Sequence, residues 1–173
     1  MQAVPDIIAD HLRILFIGFN PGQRSAETGH HFAGHSNRFW KLLAQSGLTP
    51  VQLKPEQDTA LLDLGHGITN IVARPSRTAA ELSKAEYQEG RDILKQKLIH
   101  YRPRIACYAG IGVYKEFARL PVVQCGQQPH SIIPGIIDFV VPSPSGLNRM
   151  PFDKQLMYYQ LLHGLVFHLE EQR

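Results

Sequence analysis

The stretch Ile14-Leu15-Phe16-Ile17-Gly18-Phe19-Asn20-Pro21-Gly22 decides the fold. Ile14 to Ile17 form an unbroken apolar run of strand length. Such a run suits a β-strand covered on both faces rather than a half-exposed one, which would alternate. Pro21 and Gly22 break it. A strand buried on both sides needs a layer on each side of its sheet, so the rest of the chain should supply helices.

Outward from this strand, the chain alternates. Gln23 to Ser36 is polar and glycine-bearing and is expected to be a loop. Asn37 is a candidate N-cap for a helix with Phe39, Leu42 and Leu43 on one face, and Gly47 ends it. Val51 to Ser76 is less regular, with Pro55 and Gly65-His66-Gly67, and Ile68 to Val72 reads as a short strand. Ser83 and Glu86 form a capping box. The helix that follows runs to about His100 and carries Tyr87, Ile93, Leu94 and Leu98, before Pro103. Arg104 to Ala109 is the next buried strand, and Gly110-Ile111-Gly112 turns it into a helix with Val113, Tyr114 and Phe117. Gln124 to Ile137 suggests loop and hairpin. Asp138 to Val141 is a third strand, followed by a loop from Pro142 to Arg149. Phe152, Leu156, Tyr159, Leu162, Val166 and Leu169 recur at helical spacing to the end. The expectation is one α/β domain over residues 1–173, a three-layer sandwich with a central, largely parallel sheet flanked by helices.

Composition agrees and narrows the class. Apolar residues make up 43% and charged residues 19% of 173, a globular balance with no sign of disorder. Two cysteines, Cys107 and Cys125, form no CxxC pair and cannot supply a four-thiolate cluster, which fits a reducing cytoplasmic location. No apolar run is long enough to span a membrane, and residues 1–10 lack the basic start of a signal peptide. A net charge of +3 is compatible with nucleic acid but does not demand it.

In a parallel α/β sheet, sites form at the carboxyl ends of strands. Two loops leave such ends. In the first, Pro21 biases Asn20 toward an extended backbone at a rigid strand end. The Asn20 amide can orient a water or grip an imide, but cannot act as a base near neutral pH. Pinning its own turn is an equal reading. A phosphate loop is disfavoured by the lack of a Gly-Lys-Ser/Thr ending, and because the next helix is expected far from Gly22. Gly29-His30-His31-Phe32 brings two adjacent histidines but no further ligand at metal spacing. Phe32 can be core filler or a stacking platform. In the second loop, Leu147 sits between Gly146 and Asn148, with Arg149 next. Such an apolar tip can wedge into a base stack, or fold back onto the sheet.

Together these motifs resemble the mismatch-specific uracil/thymine-DNA glycosylases. The resemblance runs through Gly18-Phe19-Asn20-Pro21-Gly22, Thr28-Gly29-His30-His31-Phe32, Asn37-Arg38-Phe39-Trp40-Lys41 and Pro144-Ser145-Gly146-Leu147-Asn148-Arg149. Lesser matches are Gly67-Ile68-Thr69-Asn70-Ile71-Val72, Glu81-Leu82-Ser83-Lys84 and Tyr101-Arg102-Pro103-Arg104-Ile105-Ala106. The resemblance implies a monofunctional DNA glycosylase acting on double-stranded DNA with G·U or G·T mispairs, as a monomer without metal or organic cofactor. Asn20 would position the attacking water. Phe19, His31, Phe32, Asn70 and Ser143 would bind the flipped base, with Phe32 stacked on it. Gly146, Leu147 and Asn148 would fill the vacated stack and read the widowed guanine, and Arg149 would hold the loop or the backbone. Ser143 and His30-His31 follow the thymine-processing branch, whereas Gly146-Leu147-Asn148-Arg149 follows bacterial members. Two other readings are a non-catalytic lesion binder on the same scaffold and an enzyme of free nucleosides. Turnover would exclude the first, and salt-dependent DNA affinity would exclude the second.

Overall fold

The computed structural model describes residues 1–173. In chain order the elements are β1 (Ile14–Gly18), α1 (Gln23–Thr28), α2 (Phe39–Ser46), a 3₁₀ segment (Pro55–Leu64), β2 (His66–Asn70), a 3₁₀ turn (Ala79–Glu81), α3 (Lys84–Tyr101), β3 (Ile105–Ala109), α4 (Ile111–Ala118), β4 (Gly126–Gln127), β5 (Ile137–Val141) and α5 (Phe152–Glu171). All five residues of β1 are buried. Successive side chains of a strand point to opposite faces. Accordingly, Ile14 and Phe16 enter a core with Leu42, Leu43, Tyr159 and Leu162 of α2 and α5. Leu15 and Ile17 enter a second core with Leu94, Leu98, Val113 and Phe117 of α3 and α4. One apolar run thus serves two layers, and the fold is the expected three-layer α/β sandwich.

The sheet order is β2-β1-β3-β5-β4. β1 runs parallel to β2 and β3, and β3 runs parallel to β5; only the short β4 is antiparallel. From β1 the chain builds one neighbour on one side, then crosses to the other. This reversal opens a crevice beyond the carboxyl ends of the strands, where ligands of such sheets bind. Gly18, the last residue of β1, lies beside Asn70, the last of β2. No helix is long and apolar enough to cross a membrane.

Four local expectations need correction. Gln23 to Thr28 is helical, so a helix does begin directly after Gly22. All of its residues but Ala26 are polar, and the one buried residue is Ser25, which hides a helix from any apolar periodicity. The N-cap of α2 is Arg38; Asn37 sits one residue earlier, where its Oδ1 accepts from the Phe39 N–H at 2.9 Å. Pro55–Leu64 adopts a 3₁₀ conformation. β2 begins at His66, two residues before the apolar signal. Gly67 belongs inside the strand because the Ile7 backbone lies against it, where a Cβ would overlap the Ile7 carbonyl.

β2 also carries a buried titratable group. His66 is buried, and its Nε2 donates to the Leu48 carbonyl at 3.3 Å. Burial lowers its pKa from 6.5 to about 4. Burial lowers that of His31 in the same direction. The unfolded chain therefore takes up these protons at higher pH than the folded chain. His66 contributes stability that is complete above pH 6.5 and is lost as pH falls toward 4, by about 3 kcal/mol. Urea denaturation of wild-type and His66→Gln proteins between pH 7.5 and 4 should show the variant losing less stability over this range, by about that amount. Parallel curves would contradict the assignment.

Candidate active site

The carboxyl ends of β1, β2, β3 and β5 surround a cavity of about 300 Å³. That is the lower end of the roughly 300–1,000 Å³ typical of small-molecule sites. Phe19, Asn20, His31, Phe32, Asn70, Ser143 and Leu147 line it. Four separate stretches of sequence thus meet at one place, because the parallel strands all end there.

Asn20 is held by its amide nitrogen. Nδ2 donates to the Arg74 carbonyl at 2.8 Å and to Ser76 Oγ at 2.8 Å. The carbonyl can only accept, so the nitrogen must lie on that side. Ser76 spends its own hydroxyl proton on the Thr78 carbonyl at 2.7 Å, which leaves its oxygen to receive from Asn20. Both Asn20 amide hydrogens are therefore committed to the loop after β2. Oδ1 is left as an acceptor at a cavity-lining position. Pinning a turn and offering an oxygen are two ends of one amide, so the two sequence readings of Asn20 are compatible. The Ser76 N–H returns to the Pro21 carbonyl at 3.1 Å, closing the two loops on each other.

The backbone N–H groups of Phe19 and Phe32, both at the cavity, have no acceptor within the chain. Phe19 packs its ring on Gly112, where a Cβ would come within 2.8 Å of it. Phe32 has φ 51°, a left-handed backbone rare for a bulky side chain and costing of order 1 kcal/mol or more. Its neighbours hold this turn. The His31 N–H donates to the buried carboxylate of Asp58 at 3.1 Å, and the Ala33 N–H to Ser25 Oγ at 3.1 Å. The His31 ring donates through Nε2 to the Pro5 carbonyl at 2.8 Å, and burial keeps the ring neutral. Its Nε2 thus braces the loop. The Phe32 ring stacks on Phe39, with centroids 4.0 Å apart and planes 25° apart. Asn70 makes no hydrogen bond to the chain, and its Oδ1 would lie 2.8 Å from a Cβ added at Gly18.

The second loop is tied from inside. Arg38 donates from Nη1 to the carbonyls of Ser145 and Asn148 at 3.3 and 3.1 Å, and its N–H donates to the Pro144 carbonyl at 2.9 Å. Asn148 Nδ2 donates to the Ser143 carbonyl at 2.9 Å, and Asn148 Oδ1 accepts from the Met150 N–H. One Nδ2 hydrogen of Asn148 remains uncommitted. Ser143 Oγ accepts from the Ser145 N–H at 3.3 Å and keeps its proton to donate. Gly146 is pressed on the Ser36 loop so closely that a Cβ would overlap Ser36 Oγ. The result is a braced loop whose tip, Leu147, is 88% exposed. Leu147 does not fold back onto the sheet. Gly146, Asn148 and Arg149 lie outside the cavity lining, and Arg149 is exposed with no ion pair.

Sequence reading missed Ser76, Arg77 and Thr78, which also line the cavity. They follow Pro75 in an irregular stretch, and only the packing of the loop after β2 against Asn20 brings them in. Arg38 was visible as part of a motif, without a role.

Fold and site together define an α/β protein with a strand-end cavity of hydrogen-bonding groups beside a rigid apolar prong. The model of the uracil DNA glycosylase superfamily matches residues 5–163. The chain belongs to that superfamily, and so to the hydrolases that release bases from DNA in base-excision repair. It is also similar in fold to the solution NMR structure of a protein from Methanosarcina acetivorans described as a "putative Uracil DNA glycosylase". The TM-score is 0.63 at 18% identity, with 98% of each chain covered.

The amide geometry makes a structural prediction. Asn20→Asp sets a carboxylate oxygen against the Arg74 carbonyl, with no hydrogen to share. Stability at pH 7 should fall by about 1–3 kcal/mol. The loss should shrink as pH falls and the acid regains a proton to donate. Denaturation of both proteins at pH 7 and pH 5 reads this directly; a variant as stable as wild type at pH 7 would contradict the assigned amide orientation.

Proposed function

We propose that the chain is a monofunctional glycosylase that flips uracil mispaired with guanine out of duplex DNA and hydrolyses its glycosidic bond. The observation that carries this reading is the pairing of a base-sized cavity, charged only by Arg77, with an exposed Leu147 on a braced loop. A leucine this exposed buries little surface on folding, but can occupy the gap left by an extruded base.

The residues take roles that follow from their free atoms. Phe32, backed by Phe39, offers a rigid surface for the base to stack on. The unpaired N–H groups of Phe19 and Phe32 and the Ser143 hydroxyl can donate to pyrimidine carbonyls. As the glycosidic bond lengthens, charge gathers on the departing base, and preorganised donors stabilise it as an oxyanion hole would. Asn70 has both an acceptor and donors free for the base edge. Asn20 Oδ1 accepts a hydrogen bond from a water and aims its oxygen at the anomeric carbon. It takes no proton, so the site relies on leaving-group stabilisation. No lysine lines the cavity to form a Schiff base. Water therefore completes the reaction and leaves an abasic site. A G·U or G·T wobble pair opens at lower cost than a Watson–Crick pair, which biases the enzyme toward mispairs. Asn148, with one free amide hydrogen, stands beside the wedge to meet the orphaned guanine.

A basic groove supports DNA as the substrate rather than a free nucleoside. It adjoins the cavity across Phe32 and Asn37, which line both, and has a volume of about 490 Å³. Arg24, Arg38, Lys41 and Lys54 oppose one carboxylate, Glu56, a formal +3 within this small region. That equals the net +3 of the whole chain. Cations concentrated beside the cavity suit a phosphate backbone.

The test is single-turnover base release from duplexes with one central G·U, G·T or A·U pair, with alkali revealing abasic sites. Release from G·U, faster than from A·U, is expected. Asn20→Ala should lower the rate by at least 10²-fold, of the order seen when a group acting on the transition state is removed, while duplex affinity is retained. Duplex binding with no base release from any substrate would instead support the lesion binder.

A further inference from the structure

The cavity has nineteen lining residues, and Arg77 alone among them carries a permanent charge. Its neighbours are committed: Ser76 bonds Asn20, Pro21 and Thr78, and the Thr78 carbonyl receives the Ser76 hydroxyl. Arg77 itself is exposed and has neither a hydrogen-bond acceptor nor an ion pair in the chain. Three residues away, Arg74 is instead locked to Glu86 at 2.5 Å. A free guanidinium is thus carried by a braced loop at the mouth of a cavity that is otherwise uncharged.

An uncharged pocket suits a pyrimidine ring. A flipped nucleotide, however, brings its phosphodiesters to the pocket mouth, and each carries a full negative charge. A guanidinium there can form a charge-assisted, bidentate pair with phosphate oxygens. We infer that Arg77 binds a phosphate flanking the flipped nucleotide and so holds the extruded conformation. This rests on the glycosylase reading and adds a phosphate-binding residue to it. The same loop fixes the amide of Asn20, so the grip on the backbone and the orientation of the water-binding oxygen share one support.

The experiment couples the protein charge to the DNA charge. Two G·U duplexes are prepared, each with a neutral methylphosphonate at one of the two linkages flanking the uridine. Single-turnover release at subsaturating enzyme is compared for wild type, Arg77→Gln and Arg77→Lys, with the unmodified duplex as control. Arg77→Gln should lower the rate on unmodified DNA roughly tenfold, the scale of one charge-assisted hydrogen bond. Arg77→Lys should recover part of the loss, as it restores the charge but not the fork. At one flanking linkage the methylphosphonate should slow wild type by a similar factor and leave Arg77→Gln unaffected, because the partner is already gone. Arg77→Gln acting like wild type on unmodified DNA would overturn the inference. So would additive losses at both linkages. If wild type releases no uracil from the unmodified control, the glycosylase reading itself fails. A failure confined to the methylphosphonate coupling removes only the role of Arg77.

Discussion

The two hydrogen bonds donated by the Asn20 amide, to the Arg74 carbonyl and Ser76 Oγ, are the constraint on which the site depends. They join the loop after β1 to the loop after β2 across the end of the sheet. They also leave Oδ1 as the one polar atom of that side chain still available. An amide suits this place better than a carboxylate, because one end must donate to a fixed carbonyl while the other accepts. The same bonds account for limited chemistry. On the proposed reading, an oxygen held in this way would orient water without removing its proton, and the rest of the cavity would lower the barrier by stabilising the departing base.

The surrounding loops are stiffened by the same logic, with buried polar groups spent on loop backbone. Asp58 and Ser25 hold the turn that places Phe32 in a left-handed conformation, and the His31 ring anchors it to the N-terminal segment. Arg38 holds the carbonyls of the Leu147 loop. Each fixed group lowers the ordering needed when DNA binds. On the proposed reading, preorganisation of this kind would matter because part of the binding energy goes to opening the duplex.

Much of the fold was legible because it rests on local signals. The apolar run Ile14–Ile17, the Ser83–Glu86 capping box and the periodicity from Phe152 each state one element. α1 was not legible: Gln23 to Thr28 has too few apolar residues to mark a buried face. β2 was shifted because His66 and Gly67 look like loop residues until the Ile7 backbone is seen against them. In the site, Asn20, Phe32 and Leu147 stood out through their motifs, and all three border the cavity. Ser76 and Asp58 did not, because their importance lies in contacts with residues 56 and 27 positions away. Arg77 was hidden because only the packing of its loop against Asn20 brings it to the cavity. The His31 ring, expected at the base, faces the Pro5 carbonyl, a partner that no spacing rule would suggest.

The central claim is that one rigid molecule holds an extruded base in the cavity and a leucine in its place. The most direct measurement is a crystal structure with a duplex carrying 2′-fluoroarabino-deoxyuridine opposite guanine, a substrate analogue that resists bond cleavage. The account predicts uracil stacked on Phe32, a water on Asn20 Oδ1 and the Leu147 side chain between the flanking bases. A uracil still paired within the helix, or a flipped base bound elsewhere with Leu147 outside the stack, would contradict it.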